Sequence, residues 1–190
     1  MRFAVLASGN GSNFEAIVTA YEAGQIDGEL ALVFSDKPEA VVLQRAKAHQ
    51  IPDKTFTVKE HGSKAAYEAA LLELLQQEAI DYLVLAGYMR ILGAELIAAF
   101  PERIINIHPS LLPSFPGLHG IKDAFEYGVK ITGVTVHFVD NGVDTGPIIA
   151  QEAVKIEASD TLESLELKIH QAEHGLYPRV LQKLFAGKNN

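Results

Sequence analysis

Residues 3–13, FAVLASGNGSN, place a short apolar run directly before a loop with two glycines. The run is typical of a buried strand, and the residues from Ser12 onward are typical of a helix start. Ser12 and Glu15 match the S-x-x-E capping box, which would begin that helix. Because glycine lets a backbone approach a ligand closely and helix-start amides attract phosphate, this stretch predicts a strand, a phosphate-binding loop and a helix.

The same alternation of apolar runs and helical patterns continues toward residue 107 and favours a mostly parallel sheet with helices on both faces. The clearest helical stripe combines Tyr67, Leu71, Leu74 and Leu75. The predicted strands are residues 3–7, 30–34, 82–86 and 104–107, and the predicted helices between them are residues 12–23, 38–49, 62–79 and 93–99.

A different pattern follows His108. Three prolines in residues 109–117 exclude a helix or a central strand there. Alternating residues predict a half-exposed strand over 134–139, and a turn signal after it indicates a hairpin with a second strand over 147–154. The predicted helices of this part are residues 119–128 and residues 162–185, the latter interrupted near Pro178. The fold class is therefore α/β, one domain over residues 1–190 with an antiparallel addition at its carboxyl end.

The composition of the 190 residues excludes several classes of protein. Without cysteine there is no disulfide framework, thiolate nucleophile or Cys-ligated zinc, which fits a reducing compartment. A net charge of −8 without a basic block lacks the footprint of a nucleic-acid or anionic-membrane binder. No apolar run is long enough for a signal peptide or a membrane span. We therefore expect a soluble cytoplasmic protein.

Asn106 and His108 end the predicted strand over 104–107, where open α/β sheets place their ligands. Residues two apart on a strand share a face, so the two side chains point the same way. An amide donor beside an imidazole suits acyl transfer, because one group stabilises an oxyanion and the other moves a proton. The alternative is a structural histidine with an asparagine that closes a turn.

Asp144 lies in the glycine-containing loop over residues 140–147. We expect its carboxylate to face His108, since a nearby carboxylate favours the charged imidazole and raises its pKa. The alternative is an ordinary turn aspartate.

Two other kinds of site stay open at this stage. Asp36 follows the second predicted strand, where a dinucleotide-binding fold places its ribose-binding acid, although Phe14 stands where the fingerprint wants glycine or alanine. A single phosphomonoester is the better fit for the loop. His170, Glu173 and His174 form an H-x-x-E-H motif, the signature of one class of zinc peptidase.

Taken together, several segments resemble the phosphoribosylglycinamide formyltransferases (glycinamide ribonucleotide transformylases), the folate-dependent enzymes of purine biosynthesis, in their stand-alone bacterial form. The segments occur in the family's order and are residues 7–13, 87–92, 106–113, 133–137 and 144–147, with Glu173, His174, Tyr177 and Pro178. The segment 106–113 is shared more widely among formyl-folate enzymes. A formyl-folate deformylase would be expected to carry an additional amino-terminal domain, and a methionyl-tRNA formyltransferase an additional carboxyl-terminal one.

The resemblance implies a Rossmann-like domain that moves a formyl group from 10-formyltetrahydrofolate to the amine of glycinamide ribonucleotide. It implies Asn106, His108 and Asp144 as catalytic residues, no metal, and a monomer or homodimer that binds small molecules only. The ribonucleotide would contact Gly11, Ser12, Asn13, His170 and Glu173. The folate would contact Lys64, Met89, Arg90, Ile91, Leu92, Asp140, Asn141, Gly142 and Val143. A binding module of the same fold, without turnover, is the non-enzymatic alternative.

Overall fold

A computed structural model describes residues 1–187 as seven strands and seven helices. The strands are β1 (Arg2–Leu6), β2 (Glu29–Ser35), β3 (Asp53–Thr55), β4 (Tyr82–Leu85), β5 (Ile104–His108), β6 (Ile131–Phe138) and β7 (Ile148–Lys155). The helices are α1 (Ser12–Glu22), α2 (Val41–Ala48), α3 (Val58–His61), α4 (Lys64–Gln77), α5 (Ala94–Ala99), α6 (Gly120–Tyr127) and α7 (Leu162–Phe185).

All seven strands form one sheet in the order β3-β2-β1-β4-β5-β6-β7. The pairs from β3 to β5 are parallel, whereas β6 runs antiparallel to β5 and β7 antiparallel to β6. The predicted mostly parallel sheet with an antiparallel addition is confirmed. The carboxyl ends of β1, β4 and β5 meet at one edge, which brings the glycine loop near Asn106 and His108.

Apolar residues fill both faces of the sheet, as the uninterrupted strand patterns predict. Along β1, Phe3 and Val5 join a cluster packed by α1, α2 and α7, while Ala4 and Leu6 join a cluster packed by α4 and α5. Burial of each large side chain contributes about 1.5–3 kcal/mol, so these two layers hold the sheet edge in place.

The prediction that β6 is half-exposed is wrong. Thr135 and His137 are buried, because the proline-rich loop after β5 contacts Thr135, while Asn106 and the loop after β6 contact His137. The Leu112 amide donates to Thr135 Oγ1 at 3.1 Å, and that hydroxyl donates to the Ser110 carbonyl at 2.7 Å. The polar residues of the alternation therefore contact a loop instead of solvent.

The predicted interruption of the last helix is also wrong, since α7 continues through Pro178. The buried Tyr177 hydroxyl donates to the carbonyls of Leu85 and Ile105, both at 3.0 Å. These contacts attach the helix to β4 and β5 on the residue before the proline. Tertiary attachment thus outweighs the loss of one helical hydrogen bond.

Three local features differ from the sequence-based expectations. The N-cap of α1 is Gly11 without any side-chain cap, so the predicted box of Ser12 and Glu15 does not form. The helix predicted over 62–79 is α4, and the short helix α3 before it, which ends at a left-handed Gly62, was not predicted. The short edge strand β3 was not predicted, because three half-exposed residues carry no apolar pattern. Within residues 1–187, no helix is both long and apolar enough to cross a bilayer.

Candidate active site

Two cavities open at the sheet edge where β1, β4 and β5 end. The first, here called the glycine-loop cavity, has a volume of about 630 Å³. The second, here called the hairpin-loop cavity, has a volume of about 250 Å³ and lies against the loop between β6 and β7. Met89 lines both cavities, so the segment after β4 separates them.

The glycine-loop cavity presents the first turn of α1. Gly11 adopts φ 77°, and a Cβ there would lie 2.7 Å from the Val42 side chain, so only glycine fits. Because no side chain caps α1, its first amides are available to a ligand. Gly11, Ser12 and Asn13 all line this cavity, as does Lys37, its one lysine or arginine among the described lining residues. This combination suits a phosphate.

His170 and Glu173 line the same cavity. The buried Glu173 Oε2 accepts from Asn13 Nδ2 at 3.1 Å and lies 3.0 Å from His170 Nδ1. The hydrogen bond to Glu173 raises the pKa of His170. Asn13 Oδ1 is buried without a partner. The cavity therefore combines an anion-binding turn with a carboxylate, which suit a ligand with a phosphate and N–H donors.

Exposed apolar side chains surround the hairpin-loop cavity. Met89 is 62% exposed, Ile91 65% and Leu118 78%, and Val143 is half-exposed. Such a patch with a few polar groups is typical of a site for a flat, largely apolar ligand. Of the residues that the resemblance assigns to folate, this cavity is lined by Met89, Arg90, Ile91, Leu92, Asp140, Gly142 and Val143, together with Asp144.

Two residues assigned to folate lie outside the lining of this cavity. Lys64 is in α4, where its ammonium lies 3.6 Å from Glu68. Asn141 is in the hairpin loop but does not line the cavity. The structure therefore gives no contact that supports either assignment.

Asp144 lies between two histidines. Its Oδ2 is 3.4 Å from His108 Nδ1, and its Oδ1 is 3.6 Å from His137 Nε2. Oδ2 also accepts from the Gly117 amide at 2.8 Å. Burial raises the pKa of Asp144, but His137, the Gly117 amide and His108 together outweigh it and leave the pKa lowered. The carboxylate is therefore held in its charged form beside His108, as the sequence led us to expect.

His108 is buried, and both of its ring nitrogens face acceptors. Nε2 lies 2.8 Å from the Phe115 carbonyl, and Nδ1 faces Asp144. An imidazolium satisfies both contacts, since each nitrogen then carries a proton. His108 lines neither cavity, whereas Asn106 lines the hairpin-loop cavity. In this conformation His108 Nε2 is hydrogen-bonded to the Phe115 carbonyl and is therefore not available to a ligand.

The hairpin loop takes its shape from close approaches that only glycine permits. A Cβ on Gly146 would overlap the Phe138 carbonyl, and one on Gly142 would overlap the Thr145 hydroxyl. Asp144 itself adopts φ 54°, in the left-handed region. The loop therefore presents the carboxylate from a fixed turn.

The two other sites considered from sequence find no support in the contacts. The carboxylate of Asp36 is buried and accepts from Ser8 Oγ at 2.5 Å and from Arg90 Nε at 2.7 Å, so it is not free for a ribose. In the H-x-x-E-H motif, Glu173 contacts His170 and Asn13. Within residues 1–187, no three His, Asp or Glu side chains form a group that could hold a metal ion.

Sequence reasoning missed Lys37 and His137 as site residues. Lys37 follows β2, and only the folding of the chain brings it to the glycine-loop cavity, so no local sequence signal marks it. His137 ends the alternation of β6, and its position opposite Asn106 depends on strand register. That alternation was the one available signal, and it does not reveal register.

Comparison with known proteins gives full-length matches. The family model described as formyl transferase matches residues 1–181. The phosphoribosylglycinamide formyltransferase of Bacillus subtilis (strain 168) is 52% identical over 189 residues, 100% of this chain and 96% of that protein. The one from Escherichia coli (strain K12) is 39% identical over 188 residues, 99% of this chain and 89% of that protein. The crystal structure of the Bacillus halodurans phosphoribosylglycinamide formyltransferase is similar with a TM-score of 0.95 and 53% identity, over 99% of this chain and 97% of that one.

Proposed function

This chain belongs to the formyl transferase family, and we infer that it transfers a formyl group from 10-formyltetrahydrofolate to the primary amine of glycinamide ribonucleotide. The reaction is a one-carbon transfer in purine biosynthesis. The full-length similarity to the Bacillus subtilis relative carries this inference. The two adjoining cavities support it, since one suits a sugar phosphate and the other a flat apolar ring.

We propose that the ribonucleotide occupies the glycine-loop cavity. Its phosphate accepts from the amides of Gly11, Ser12 and Asn13, and its amide end contacts Glu173, with His170 as a partner of that carboxylate. The start of α1, which no side chain caps, supports the contact with the phosphate. The hydrogen bond between Asn13 and Glu173 supports the contact with the amide end. The amine then points along Met89 toward the second cavity.

The folate ring occupies the hairpin-loop cavity in this proposal. Met89, Ile91, Leu92 and Val143 supply apolar surface, and the other lining polar groups orient the ring. We retain Lys64 and Asn141 as contacts of the outer part of the folate only, because neither lines the cavity.

Formyl transfer then proceeds by direct attack. The neutral amine forms a bond to the formyl carbon, and the carbonyl electrons move to oxygen as a tetrahedral oxyanion. Asn106 donates to that oxyanion, together with His108 after its Nε2–H exchanges the Phe115 carbonyl for substrate. Collapse breaks the bond to the folate nitrogen, which takes a proton from His108 directly or through water. The attacking nitrogen gives up one proton through water, and this proton returns His108 to its imidazolium form. Asp144 stabilises the imidazolium form of His108 before and after this proton exchange.

No covalent enzyme intermediate enters this sequence. Ser110 and Ser114 lie in the loop after β5, where Ser110 Oγ donates to the Ser114 carbonyl at 2.5 Å. We further propose that residues 1–190 act as one domain, as a monomer or homodimer in the cytoplasm. Sedimentation at several concentrations measures the oligomeric state.

The direct test mixes the purified protein with both substrates and follows the release of tetrahydrofolate. Turnover that requires both substrates is expected. Binding of the ribonucleotide without turnover would instead identify a binding module. Replacement of Asn106 by Ala should lower kcat by about 10²–10³. Replacement of His108 by Ala should lower it by about 10²–10⁴.

Asp144→Asn tests the paired carboxylate. We expect a lower kcat at every pH, with a deficit that grows as pH rises, because an imidazolium without a carboxylate beside it loses its proton more readily. Because the pKa of Asp144 is lowered, the wild-type carboxylate stays charged as pH rises. Its own titration therefore does not change the pH dependence of kcat. The matched control is Asp53→Asn on β3, at the opposite edge of the sheet. A normal kcat with an unchanged pH profile would remove Asp144 from the mechanism.

A further inference from the structure

His137 and Asn106 are cross-strand neighbours. In the antiparallel pair of β5 and β6, Asn106 lies directly opposite His137. Directly opposed residues of such a pair point to the same face, so the two side chains meet. His137 is 2% exposed, and the imidazole is therefore confined to the partners that surround it.

The contacts of His137 with Phe138 and Asn106 match one neutral tautomer. Nδ1 lies 2.8 Å from the carbonyl oxygen of Phe138, which can only accept, so Nδ1 carries a proton. In the neutral ring Nε2 is then an acceptor. Nε2 lies 3.2 Å from Asn106 Nδ2, and an amide nitrogen only donates. The two contacts agree with one arrangement, in which the Phe138 carbonyl makes His137 an acceptor for Asn106.

This arrangement also orients the amide of Asn106. One N–H of Nδ2 is held by His137, which leaves the second N–H free at the cavity that Asn106 lines. Of the two neighbours of Nε2, Asn106 Nδ2 is the nearer at 3.2 Å. Asp144 Oδ1, at 3.6 Å, faces a proton on this nitrogen, and has its pKa lowered by it, only when the ring is an imidazolium. A protonated His137 would instead donate to Asp144 and release the amide. The neutral ring is thus the form that holds one N–H of Asn106 and fixes the orientation of the amide.

We propose that His137 is a positioning residue that holds one N–H of Asn106 and thereby aims the other at the oxyanion. The proposal rests on the formyl transfer proposed above and adds a residue that acts on the oxyanion only through Asn106. It predicts that loss of His137 lowers kcat and leaves the binding of both substrates nearly unchanged.

Two substitutions separate the two ring nitrogens. The amide of His137→Asn reaches the position of Nδ1 only, whereas that of His137→Gln reaches the position of Nε2 and supplies an acceptor there. We expect His137→Asn to lower kcat by about 10-fold to 100-fold, less than the roughly 10²–10³ lost with an oxyanion donor itself, because Asn106 is misaligned and not removed. Both KM values should change less than about threefold. His137→Gln should recover most of that kcat.

Thr132→Val provides the matched control for folding. Thr132 lies on the same strand, is buried, and its hydroxyl lacks a partner. This variant should keep wild-type kcat, and thermal unfolding of all variants shows whether each is folded. If His137→Asn does not fold, His137→Gln still decides, since a kcat as low as that of Asn106→Ala would overturn the proposal.

A double-mutant cycle gives the decisive measurement. In the Asn106→Ala background there is no amide to position, so His137→Asn should lower kcat by less than about twofold. The full single-variant loss repeated in that background would show that His137 acts elsewhere, for example on Asp144, and would overturn the proposal. Wild-type turnover in the same assay separates the two failures. If the wild-type protein shows no turnover, the proposed function fails. If it does turn over, the double-mutant cycle tests the role of His137 alone.

Discussion

At the scale of single residues, His49 and Arg45 attach the glycine loop to the rest of the fold. Arg45 donates from Nε to the Asn10 carbonyl at 2.9 Å and from Nη1 to Glu15 at 3.0 Å. His49 lies 3.0 Å from Glu15 and 2.9 Å from Glu22. Glu15, which sequence assigned to a helix cap, is therefore used to join α1 to α2.

The pKa shifts of this cluster give it a pH window. Hydrogen bonds to Glu15 and then Glu22 raise the pKa of His49 above 6.5. Burial raises the pKa of Glu15, but the bonds from His49 and Arg45 outweigh it and leave the pKa below 4.5. The His49 contribution to stability is complete below its unfolded pKa and is lost as pH rises through the raised folded value. The Glu15 contribution is lost as pH falls below 4.5.

His49→Gln should therefore destabilise the protein more at pH 6 than at pH 9, by roughly a tenth to 1 kcal/mol at this partly exposed site. The measurement is the thermal midpoint of wild type and variant at both pH values. His119→Gln, which changes a histidine outside this cluster, serves as the control. An equal destabilisation at both pH values would show that the charge of His49 contributes nothing.

The predictability of the site differs from residue to residue. Asn106 and His108 could be selected because spacing along a strand and its carboxyl end are local properties. Asp144 could be suspected but not placed, since its distance to His108 depends on the conformation of a loop. His137 could not be paired with Asn106, because the register of two strands is set by packing and turns along their whole length.

At the scale of elements, the Tyr177 hydroxyl adds a polar attachment to the apolar packing of α7 on the sheet. Tyr177 is buried, and burial raises its pKa well above the ordinary value, so it remains a donor. Its two acceptors, the carbonyls of Leu85 and Ile105, belong to the strands that end at the site. Leu85 also lines the hairpin-loop cavity.

Tyr177→Phe should lower the free energy of unfolding by about 1–3 kcal/mol, because two buried carbonyls lose their donor. Urea unfolding measures this change. Tyr127→Phe is the matched control, since its ring is 79% exposed and such a surface change should stay within about 0.5 kcal/mol. Equal stabilities of the two variants would mean that the hydroxyl does not attach the helix.

Elements were predictable where one local signal dominates. The apolar runs of β1, β2, β4 and β5 exceed any competing pattern, and the bounds of these strands agree with the predicted ones to within one residue. Two of the wrong expectations, for β6 and for Pro178, share a cause. In both cases a distant segment decides, the loop after β5 for one and the contact of Tyr177 with the sheet for the other.

At the scale of the whole molecule, one buried carboxylate joins segments that are far apart in sequence. Asp36 follows β2 and accepts from Ser8, after β1, and from Arg90, after β4. Ser8 Oγ in turn accepts from the Met89 amide at 2.9 Å. Ser8 lines the glycine-loop cavity and Arg90 the hairpin-loop cavity, so the network connects the walls of both. Asp36 was considered from sequence as a ligand contact, but its neighbours assign it to the scaffold.

Substitution of Asp36 should therefore affect the two substrates differently according to which bond is lost. Asp36→Asn keeps an acceptor for Ser8 but removes the charge that faces Arg90, so we expect a higher KM for the folate and little change for the ribonucleotide. Asp36→Ala removes both bonds and should raise both KM values. The loss of a charged hydrogen bond, about 1.5–3 kcal/mol, corresponds to roughly a tenfold or larger effect.

Steady-state kinetics with each substrate varied in turn measures both KM values, and thermal unfolding accompanies them. Asp53→Asn again supplies an aspartate at the far edge of the sheet as a control. If Asp36→Ala leaves both KM values at the wild-type level, the network does not hold the cavity walls. If Asp36→Asn raises both equally, the charge acts on the whole site and not through Arg90. A chain with net charge −8 binds anionic substrates only where local geometry supplies donors, so the position of these walls is the property that such variants measure.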